Sequence, residues 1–218
     1  MATLHEWSDD VHLIGLGGIG THVLLALIEL GVREVHVWDD DIVSAHNRPS
    51  QFIYTKDDVG SPKVDGVVAF VQRQGYDIVI IPHYERVTAA TVLSGIVISG
   101  VDTMASRMQI WQAVRQCGPM TPVYIDGRIA DENVHMLTLD PCNPAEVERY
   151  EKALIPDSGT RDLSCTTRQN PHSALAVASM VSINLTLLLA GQGVKDTVFR
   201  NLRLEARSTQ QRLGTTSL

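Results

Sequence analysis

The sequence is poor in cysteine and in uninterrupted apolar segments, and both shortages exclude classes of protein. It has 3 cysteines among 218 residues, and because no two are close together, neither a disulfide framework nor a structural zinc site is expected. The longest apolar candidate, residues 174–190, is broken by polar side chains and falls short of the roughly 18–20 apolar residues that span a bilayer. Acidic residues without a basic region open the chain, so no signal peptide is predicted. We therefore expect a cytoplasmic protein without a membrane partner.

A surplus of positive charge is missing as well. The chain has 18 Lys and Arg against 25 Asp and Glu, a formal net charge of −7, so we expect no binding to nucleic acid. The stretch from Lys195 onward differs, because basic residues outnumber acidic ones there. Two interpretations of this stretch stay open: a solvated edge, or a docking surface for an acidic partner.

A glycine-rich turn near the start of the chain is the most informative feature that is present. A predicted strand at 11–14 precedes the turn, a predicted helix at 21–30 follows it, and a second strand at 34–38 leads into Asp39. Glycines let backbone N–H groups approach a phosphate at the helix N-terminus, and an acid after the second strand can hold a ribose hydroxyl. The pattern predicts a nucleotide-binding unit without choosing between NAD and ATP. Its glycines are Gly15, Gly17, Gly18 and Gly20.

Apolar segments alternate with helical patterns up to residue 127. Such alternation predicts βαβ units and a mostly parallel, doubly wound sheet with helices on both faces. The β-branched segment 95–101 is typical of a buried strand in such a sheet. Besides the elements around the glycine turn, we predict strands at 76–81, 95–101 and 122–126, and helices at 64–73, 88–93 and 106–117.

The pattern changes after Gly127, where a strand of alternating character predicts antiparallel pairing. We predict one α/β, Rossmann-like domain over 1–218, with a nucleotide-binding core at 11–127. The remainder, 128–218, comprises a crossover segment, a helix and a C-terminal strand that form a small antiparallel extension. Its predicted elements are a strand at 134–139, a charged helix at 145–154, a polar segment at 156–171, a small-residue helix at 173–189 and an edge strand at 198–205.

Three charged residues are candidates for work on a nucleotide. Lys63 begins a predicted helix, either as an exposed lysine or as a point charge on phosphates. Asp102 follows a buried strand and so faces the crevice where ligands bind. A carboxylate beside phosphates needs a cation between them, which indicates Mg²⁺. Arg107 either serves this site or is a surface helix residue.

Cys165 lies in a polar segment and precedes a predicted helix. Arg168 and the helix N-terminus would lower the pKa of its thiol, which is typical of a nucleophile. The alternative is a small, packed cysteine without reactivity. Cys117 and Cys142 have the character of structural or incidental cysteines.

In combination, these motifs resemble the ThiF/MoeB/HesA family of the ubiquitin-activating-enzyme superfamily. Its members bind ATP on a Rossmann-like fold and adenylate the C-terminal glycine of a ubiquitin-like or sulfur-carrier protein. The resemblance covers roughly residues 11–193. The motifs that carry it are Gly15-x-Gly17-Gly18-x-Gly20, Asp39-x-Asp41, Asn47 with Gln51, Gly60-x-Pro62-Lys63, Asp102 followed by Arg107, and Cys165-Thr166-x-Arg168-x-x-Pro171.

The resemblance implies a role for each matching residue. The glycines, with Asp41 and Gln51, would surround the nucleotide. Asp39 would hold the ribose. Asn47 and Lys63 would contact phosphates, and Asp102 would hold Mg²⁺. Cys165 would take the activated carrier as a thioester. Relatives also pair two such domains, so a homodimer or a pairing with a homologue is expected.

The chain departs from the family pattern at two arginines. Ser50 stands where the family has an arginine beside the glutamine, and Arg48 is the nearby candidate substitute. Relatives also carry an N-terminal arginine that reaches into the partner protomer's ATP site, whereas this chain has no Lys or Arg before Arg33. Such arginines stabilise charge on reacting phosphates. The loss puts the rate of reaction, and activity itself, in question.

Three hypotheses therefore stand. The first is an adenylating enzyme that uses ATP and Mg²⁺ and whose catalytic residues are Arg48, Lys63, Asp102 and Cys165. The second is a non-catalytic binding or scaffold protein that has kept the fold, for which the missing arginines argue. The third is an NAD-dependent oxidoreductase, against which the absence of a Tyr-x-x-x-Lys pair argues. The identity of the carrier stays open.

Overall fold

A single seven-stranded sheet organises the chain. The computed structural model describes residues 10–46, 48–130, 133–154, 171–192 and 197–201. The strand order is β3-β2-β1-β4-β5-β6-β7. The strands are β1 Val11–Ile14, β2 Glu34–Trp38, β3 Val79–His83, β4 Ile96–Ser99, β5 Val123–Ala130, β6 Asn133–Leu139 and β7 Thr197–Asn201. The helices are α1 Gly18–Glu29, α2 Lys63–Gln74, α3 Met104–Cys117, α4 Pro144–Lys152 and α5 Pro171–Leu189.

The first five strands in the chain form the parallel part of the sheet. Strand β1 pairs with β2 and β4, β2 pairs with β3, and β4 pairs with β5, all in parallel. Their carboxyl ends therefore share one edge, where the segments after β1, β2 and β4 meet. Strands β6 and β7 then add in antiparallel fashion. The predicted mostly parallel sheet with an antiparallel extension is confirmed.

Helices cover both faces of the sheet, because neighbouring strand residues point to opposite sides. In β1, Leu13 joins a buried cluster with α1, α2 and α5, whereas Ile14 joins a second cluster with α3 and α4. Both residues are almost completely buried. The strands that are buried on both faces are thus mostly apolar, as is typical of parallel strands between helical layers, and His12 and Ser99 are buried polar exceptions.

Helix α5 combines the length and apolar composition of a membrane-spanning segment over His172–Leu189. In the fold it packs as a layer helix against α1 and the antiparallel strands, with Val177, Val181 and Leu185 buried in the same cluster as Leu13. A core helix passes the same compositional test.

One predicted element is wrong. Residues 88–93 form no helix; the structure has an isolated turn there. The backbone N–H of Thr91 donates to the Thr88 carbonyl over 3.0 Å, and the Thr88 N–H is taken by the Thr91 side chain, also over 3.0 Å. Threonine hydroxyls that bond to nearby backbone compete with helix formation.

Most other differences are boundary shifts. Helix α1 begins at Gly18 inside the glycine motif, and β3 begins at Val79 rather than Tyr76. Strand β5 continues beyond Asp126 to Ala130, because it pairs with β6 along that length. The predicted edge strand at 198–205 corresponds to β7 at Thr197–Asn201, and its last four predicted residues lie outside the described part of the chain.

Candidate functional site

The glycine turn joins β1 to α1 at the carboxyl edge of the sheet. Gly15 has φ +91°, a left-handed backbone that favours glycine. A Cβ on Gly20 would lie 1.8 Å from the Gly15 carbonyl oxygen, so the first turn of α1 sits directly against the loop. A Cβ on Gly17 would meet nothing within 4 Å. The loop thus leaves open space in front of the helix N-terminus, as a phosphate cradle requires.

Asp39 follows β2 and is tied directly to this turn. Its Oδ2 accepts the Leu16 backbone N–H over 2.6 Å, and its Oδ1 accepts the Asp41 N–H over 2.9 Å. Burial raises the pKa of the Asp39 carboxyl, and the charge of Lys63 and the two N–H donors oppose that rise only in part. The structure therefore brings the predicted ribose acid and the predicted phosphate turn into contact.

Lys63 is the first residue of α2, and its ammonium points into the same cluster. Its Nζ lies 2.7 Å from Asp41 Oδ2 and 3.5 Å from Asp39 Oδ1. The residue is only 5% exposed, which excludes the interpretation as an exposed lysine. Burial lowers the pKa of the Lys63 ammonium, but the carboxylates of Asp39 and Asp41 raise it by more, so the net shift is upward. Lys63 is thus a permanent buried cation.

The segment around Gln51 packs against the outer side of the glycine turn. Tyr54 donates its hydroxyl hydrogen to the Leu16 carbonyl over 3.0 Å, and Arg48 Nε donates to the Tyr54 carbonyl over 3.3 Å. Gln51 is buried, and its Oε1 has no hydrogen-bond partner among the described residues. An unpaired buried amide oxygen is costly without a donor, so this position fits a ligand-facing role. Asn47 lies outside the described residues.

Asp102 lies at the same edge, after β4 and just before α3. Its side chain is exposed, and Thr103 caps α3 by accepting the Ser106 N–H over 3.1 Å. An exposed carboxylate at this edge is a hard oxygen donor of the kind that suits Mg²⁺.

Arg107 is not a surface residue, because it is 5% exposed. Its Nη2 donates to the carbonyl oxygens of Val101 and Gly127, and its Nε donates to Asp126 Oδ1 over 3.0 Å. Arg107 therefore fixes the carbonyl group of Val101, directly before Asp102, and so helps to position Asp102.

Sequence reasoning missed Asp126, the centre of a buried polar network in β5. Burial acts to raise the pKa of this fully enclosed carboxyl, but the charges of Arg107 and Arg128 lower it more, so the net shift is downward. Each donor lies within 3.0 Å of a carboxylate oxygen. The donors are Ser99, Arg107, Arg128 and Tyr150. The available signal was an acidic residue at the end of the predicted strand 122–126.

Sequence reasoning also missed Arg86, in the segment after β3. Its Nε lies 2.9 Å and 2.8 Å from the two carboxylate oxygens of Asp40. The hydrogen bond and charge of Asp40 raise the pKa of the Arg86 guanidinium, and the charges of Asp41 and Asp102 add to that rise. The guanidinium therefore lies among the carboxylates of the candidate site.

The cysteines divide into two groups. Cys117 is buried in α3, and its Sγ accepts the Leu93 backbone N–H over 3.2 Å, which is a structural contact. Cys142 is exposed in the turn before α4. Cys165 and Arg168 lie outside the described residues, so the nucleophile stays a prediction.

Comparison with known proteins gives matches along most of the chain. A sequence model of the ThiF family matches residues 6–216. The SAMP-activating enzyme E1 of Haloferax volcanii is 30% identical over 162 residues, which are 70% of this chain and 59% of that protein. The sulfur carrier protein ThiS adenylyltransferase of Escherichia coli is 28% identical over 163 residues, 72% of this chain and 62% of that protein. The chain thus spans about three fifths of the length of these two relatives.

Solved structures show the same fold. E. coli MccB with ATP superposes with a TM-score of 0.64 at 15% identity, covering 89% of this chain and 64% of MccB. Selenomethionine PaaA superposes with a TM-score of 0.67 at 16% identity, covering 89% of this chain and 70% of PaaA. At such identities the likeness concerns the fold.

Proposed function

The chain belongs to the ThiF family, and we propose that it catalyses ATP-dependent adenylation of the C-terminal glycine of a ubiquitin-like or sulfur-carrier protein. Two of its relatives are named for the activation of a SAMP and the adenylylation of ThiS. A protein of the same fold has been solved with ATP.

The observation that carries the proposal is the contact between Asp39 and the glycine turn. Because Asp39 Oδ2 accepts the Leu16 N–H over 2.6 Å, a ribose held by Asp39 would place its 5′ phosphates at the N-terminus of α1. Lys63 Nζ is 3.5 Å from the same carboxylate, so a protected cation lies beside that path. A ribose acid, a phosphate cradle and a lysine thus share one network of contacts.

In the proposed reaction, a carboxylate oxygen of the carrier's last glycine attacks the α-phosphorus of ATP. A bond forms between that oxygen and phosphorus, the bond to the bridging oxygen of the β-phosphate breaks, and pyrophosphate leaves. Lys63 keeps its proton and neutralises phosphate charge, and Arg48 lies on the segment beside the turn. Asp102 would hold Mg²⁺, which neutralises phosphate charge when bound. Catalysis here is mainly positioning and charge stabilisation.

A second step is proposed for Cys165. Its thiolate would attack the carbonyl carbon of the acyl-adenylate, and AMP would leave as the thioester forms. The Cys165-Thr166-x-Arg168-x-x-Pro171 segment supports this step. If it occurs, Cys165→Ala keeps carrier-dependent pyrophosphate exchange but loses a covalent adduct that dithiothreitol releases. An adduct that persists in Cys165→Ala would move the nucleophile to Cys117 or Cys142.

We further propose a cytoplasmic homodimer, or a pair with a homologue. Besides the family resemblance, the support is helix α5, whose Leu175 and Ile183 are each 55% exposed. Light scattering should give twice the chain's mass. A monomer with full activity would contradict the pairing.

The experiment that tests the proposed function is ATP–pyrophosphate exchange with a candidate carrier, a small β-grasp-like protein that ends in Gly-Gly. The exchange should depend on the carrier and stop when its last glycine is removed. ATP binding without any exchange would favour the second candidate, a non-catalytic binding protein, for which the serine at position 50 argues. Stabilisation by NAD at least equal to that by ATP would favour an oxidoreductase.

A further inference from the structure

The candidate site has many more negative than positive groups. Four aspartates, Asp39, Asp40, Asp41 and Asp102, follow β2 and β4 at the shared edge. Lys63 is the buried cation among them, and it is already bonded to Asp41. The triphosphate of ATP would bring further negative charge. A site of this composition needs another cation, and position 50 holds a serine.

Arg48, the substitute suggested by sequence, has a different task in the structure. Its Nε donates to the Tyr54 carbonyl over 3.3 Å. Tyr54 in turn donates to the Leu16 carbonyl of the glycine turn. Arg48 thus helps to hold the 48–54 segment in place beside the glycine turn, through its bond to the Tyr54 carbonyl.

Arg86 also bonds through Nε alone, to Asp40, and no partner is found for its two Nη groups among the described residues. It differs from the half-buried Arg48 because it is exposed and lies among the carboxylates of the candidate site. The side chain is 67% exposed, so these donors face solvent at the mouth of the site. A guanidinium that presents a free pair of N–H groups is suited to bidentate contact with phosphate.

We propose that Arg86 binds the phosphates of ATP from within the same chain and so supplies the positive charge that Ser50 does not. The proposal rests on the proposed function, since it concerns the same nucleotide site. Asp40 holds the guanidinium at the edge through Nε before ATP arrives, and the two Nη groups would contact the phosphate oxygens. Arg86 bonds to Asp40, and Asp40 directly follows Asp39, whose carboxylate accepts the Leu16 N–H of the glycine turn. Arg86 therefore lies near the glycine turn.

The placement of Arg86 has a consequence for assembly. An arginine supplied by the same chain makes ATP binding independent of any arginine from a partner protomer. ATP affinity should therefore stay constant as the protein is diluted below the concentration at which it self-associates.

The test compares ATP, AMP and adenosine on the full chain by isothermal titration, with Mg²⁺ present. Arg86→Ala should weaken ATP binding about tenfold, the size of a lost charge-assisted contact, weaken AMP binding less, and leave adenosine binding unchanged. Asp40→Asn removes the ion pair that holds the guanidinium at the edge but keeps its charge. It should weaken ATP binding less than Arg86→Ala does and leave adenosine binding unchanged.

Two controls sharpen the result. Lys152→Ala removes another exposed ion pair, with Glu148 at 2.6 Å on α4, and should change no affinity. Arg48→Ala tests the competing substitute, and a loss confined to ATP in that variant, with Arg86→Ala unaffected, would overturn the proposal. Equal losses for adenosine and ATP in Arg86→Ala would also overturn it. If the unsubstituted protein binds no ATP, the proposed function itself fails; if it binds ATP and Arg86→Ala binds equally well, only this inference fails.

Discussion

Asp39 follows β2 and Asp126 lies within β5, and burial raises the pKa of both carboxyls, yet the net shifts are opposite because their nearby cations differ. Asp126 is fully enclosed, and Arg107 and Arg128 hold the pKa of its carboxyl below the ordinary value. For Asp39, burial dominates over Lys63, whose Nζ is 3.5 Å away, and the pKa rises. The carboxylate of Asp126 is thus stabilised by two arginines of its own chain, whereas that of Asp39 accepts two backbone N–H groups and has one lysine at a longer distance.

The comparison separates a structural acid, Asp126, from a candidate ligand-binding acid, Asp39. A buried charge with full hydrogen bonding fixes local structure but has nothing left for a ligand. A buried carboxyl whose pKa stays raised in spite of a nearby cation is typical of binding and catalytic positions. The two aspartates should therefore respond differently to substitution. Two of the four predictions below test that difference directly, and the other two extend it to Asp102 and His12.

The largest effect is expected at Asp126. Replacement by Asn leaves Arg107 and Arg128 buried without their counter-charge, which should lower the free energy of unfolding by about 3–5 kcal/mol. Urea denaturation measures this loss. Glu148→Gln, at an exposed ion pair, is the control and should leave the midpoint unchanged. Equal midpoints for the two variants would show that the Asp126 network does not stabilise the fold.

Asp102→Ala should lower activity without lowering stability. Asp102 is exposed, so its removal creates no cavity, but the loss of the Mg²⁺ ligand should reduce pyrophosphate exchange about 100-fold or more. Unfolding curves should coincide with those of the unsubstituted protein. Full activity in this variant would disprove the assignment of the metal to Asp102.

Asp39→Asn should weaken ATP binding about tenfold or more, since an amide replaces the charged acceptor for the ribose. The amide oxygen can still accept the Leu16 N–H, so the free energy of unfolding should fall much less than for Asp126→Asn. Thermal unfolding with and without ATP measures both quantities. A stability loss as large as that of Asp126→Asn, with ATP binding intact, would reverse the proposed roles.

The smallest effect concerns a third buried group, His12 in β1. Burial, and then the charge of His36, lower the pKa of His12 to about 4 from 6.5. The folded state therefore binds fewer protons than the unfolded state between these values, so stability is complete above pH 6.5 and is lost as the pH falls toward 4. At pH 6 this linkage amounts to about 0.8 kcal/mol. His12→Asn should make the free energy of unfolding depend less on pH between pH 8 and 6. An unchanged pH dependence would show that it comes from other groups.

Local patterns predicted the frame of the site. The glycine turn, Asp39 and Asp102 each stand at a fixed position relative to a strand that the apolar pattern reveals, and parallel strands bring those positions to one edge. The structure places all three at that edge. Their roles toward a nucleotide stay predictions, as does the extent of the domain over 1–218.

Distant pairings were not predictable. Arg86 meets Asp40 across 46 positions of sequence, and Arg107 meets Asp126 across 19. Nothing in the local sequence of Arg107 distinguishes a buried arginine from a surface one. The threonines at 88 and 91 likewise fit a helical pattern, but their side chains bond to backbone in a turn. In each case a side-chain contact, which periodicity does not encode, decided the outcome.

The most direct test of the central claim is the shift in melting temperature with ATP and Mg²⁺ against the shift with NAD. A ligand at 100 times its dissociation constant stabilises the folded state by about 2.7 kcal/mol, which is about 5–10 °C for a chain of this size. We predict such a shift for ATP with Mg²⁺, little for NAD, and a much reduced ATP shift in Asp39→Asn. A shift with NAD as large as that with ATP, or an ATP shift that Asp39→Asn leaves intact, would contradict a nucleotide site built on Asp39 and the glycine turn.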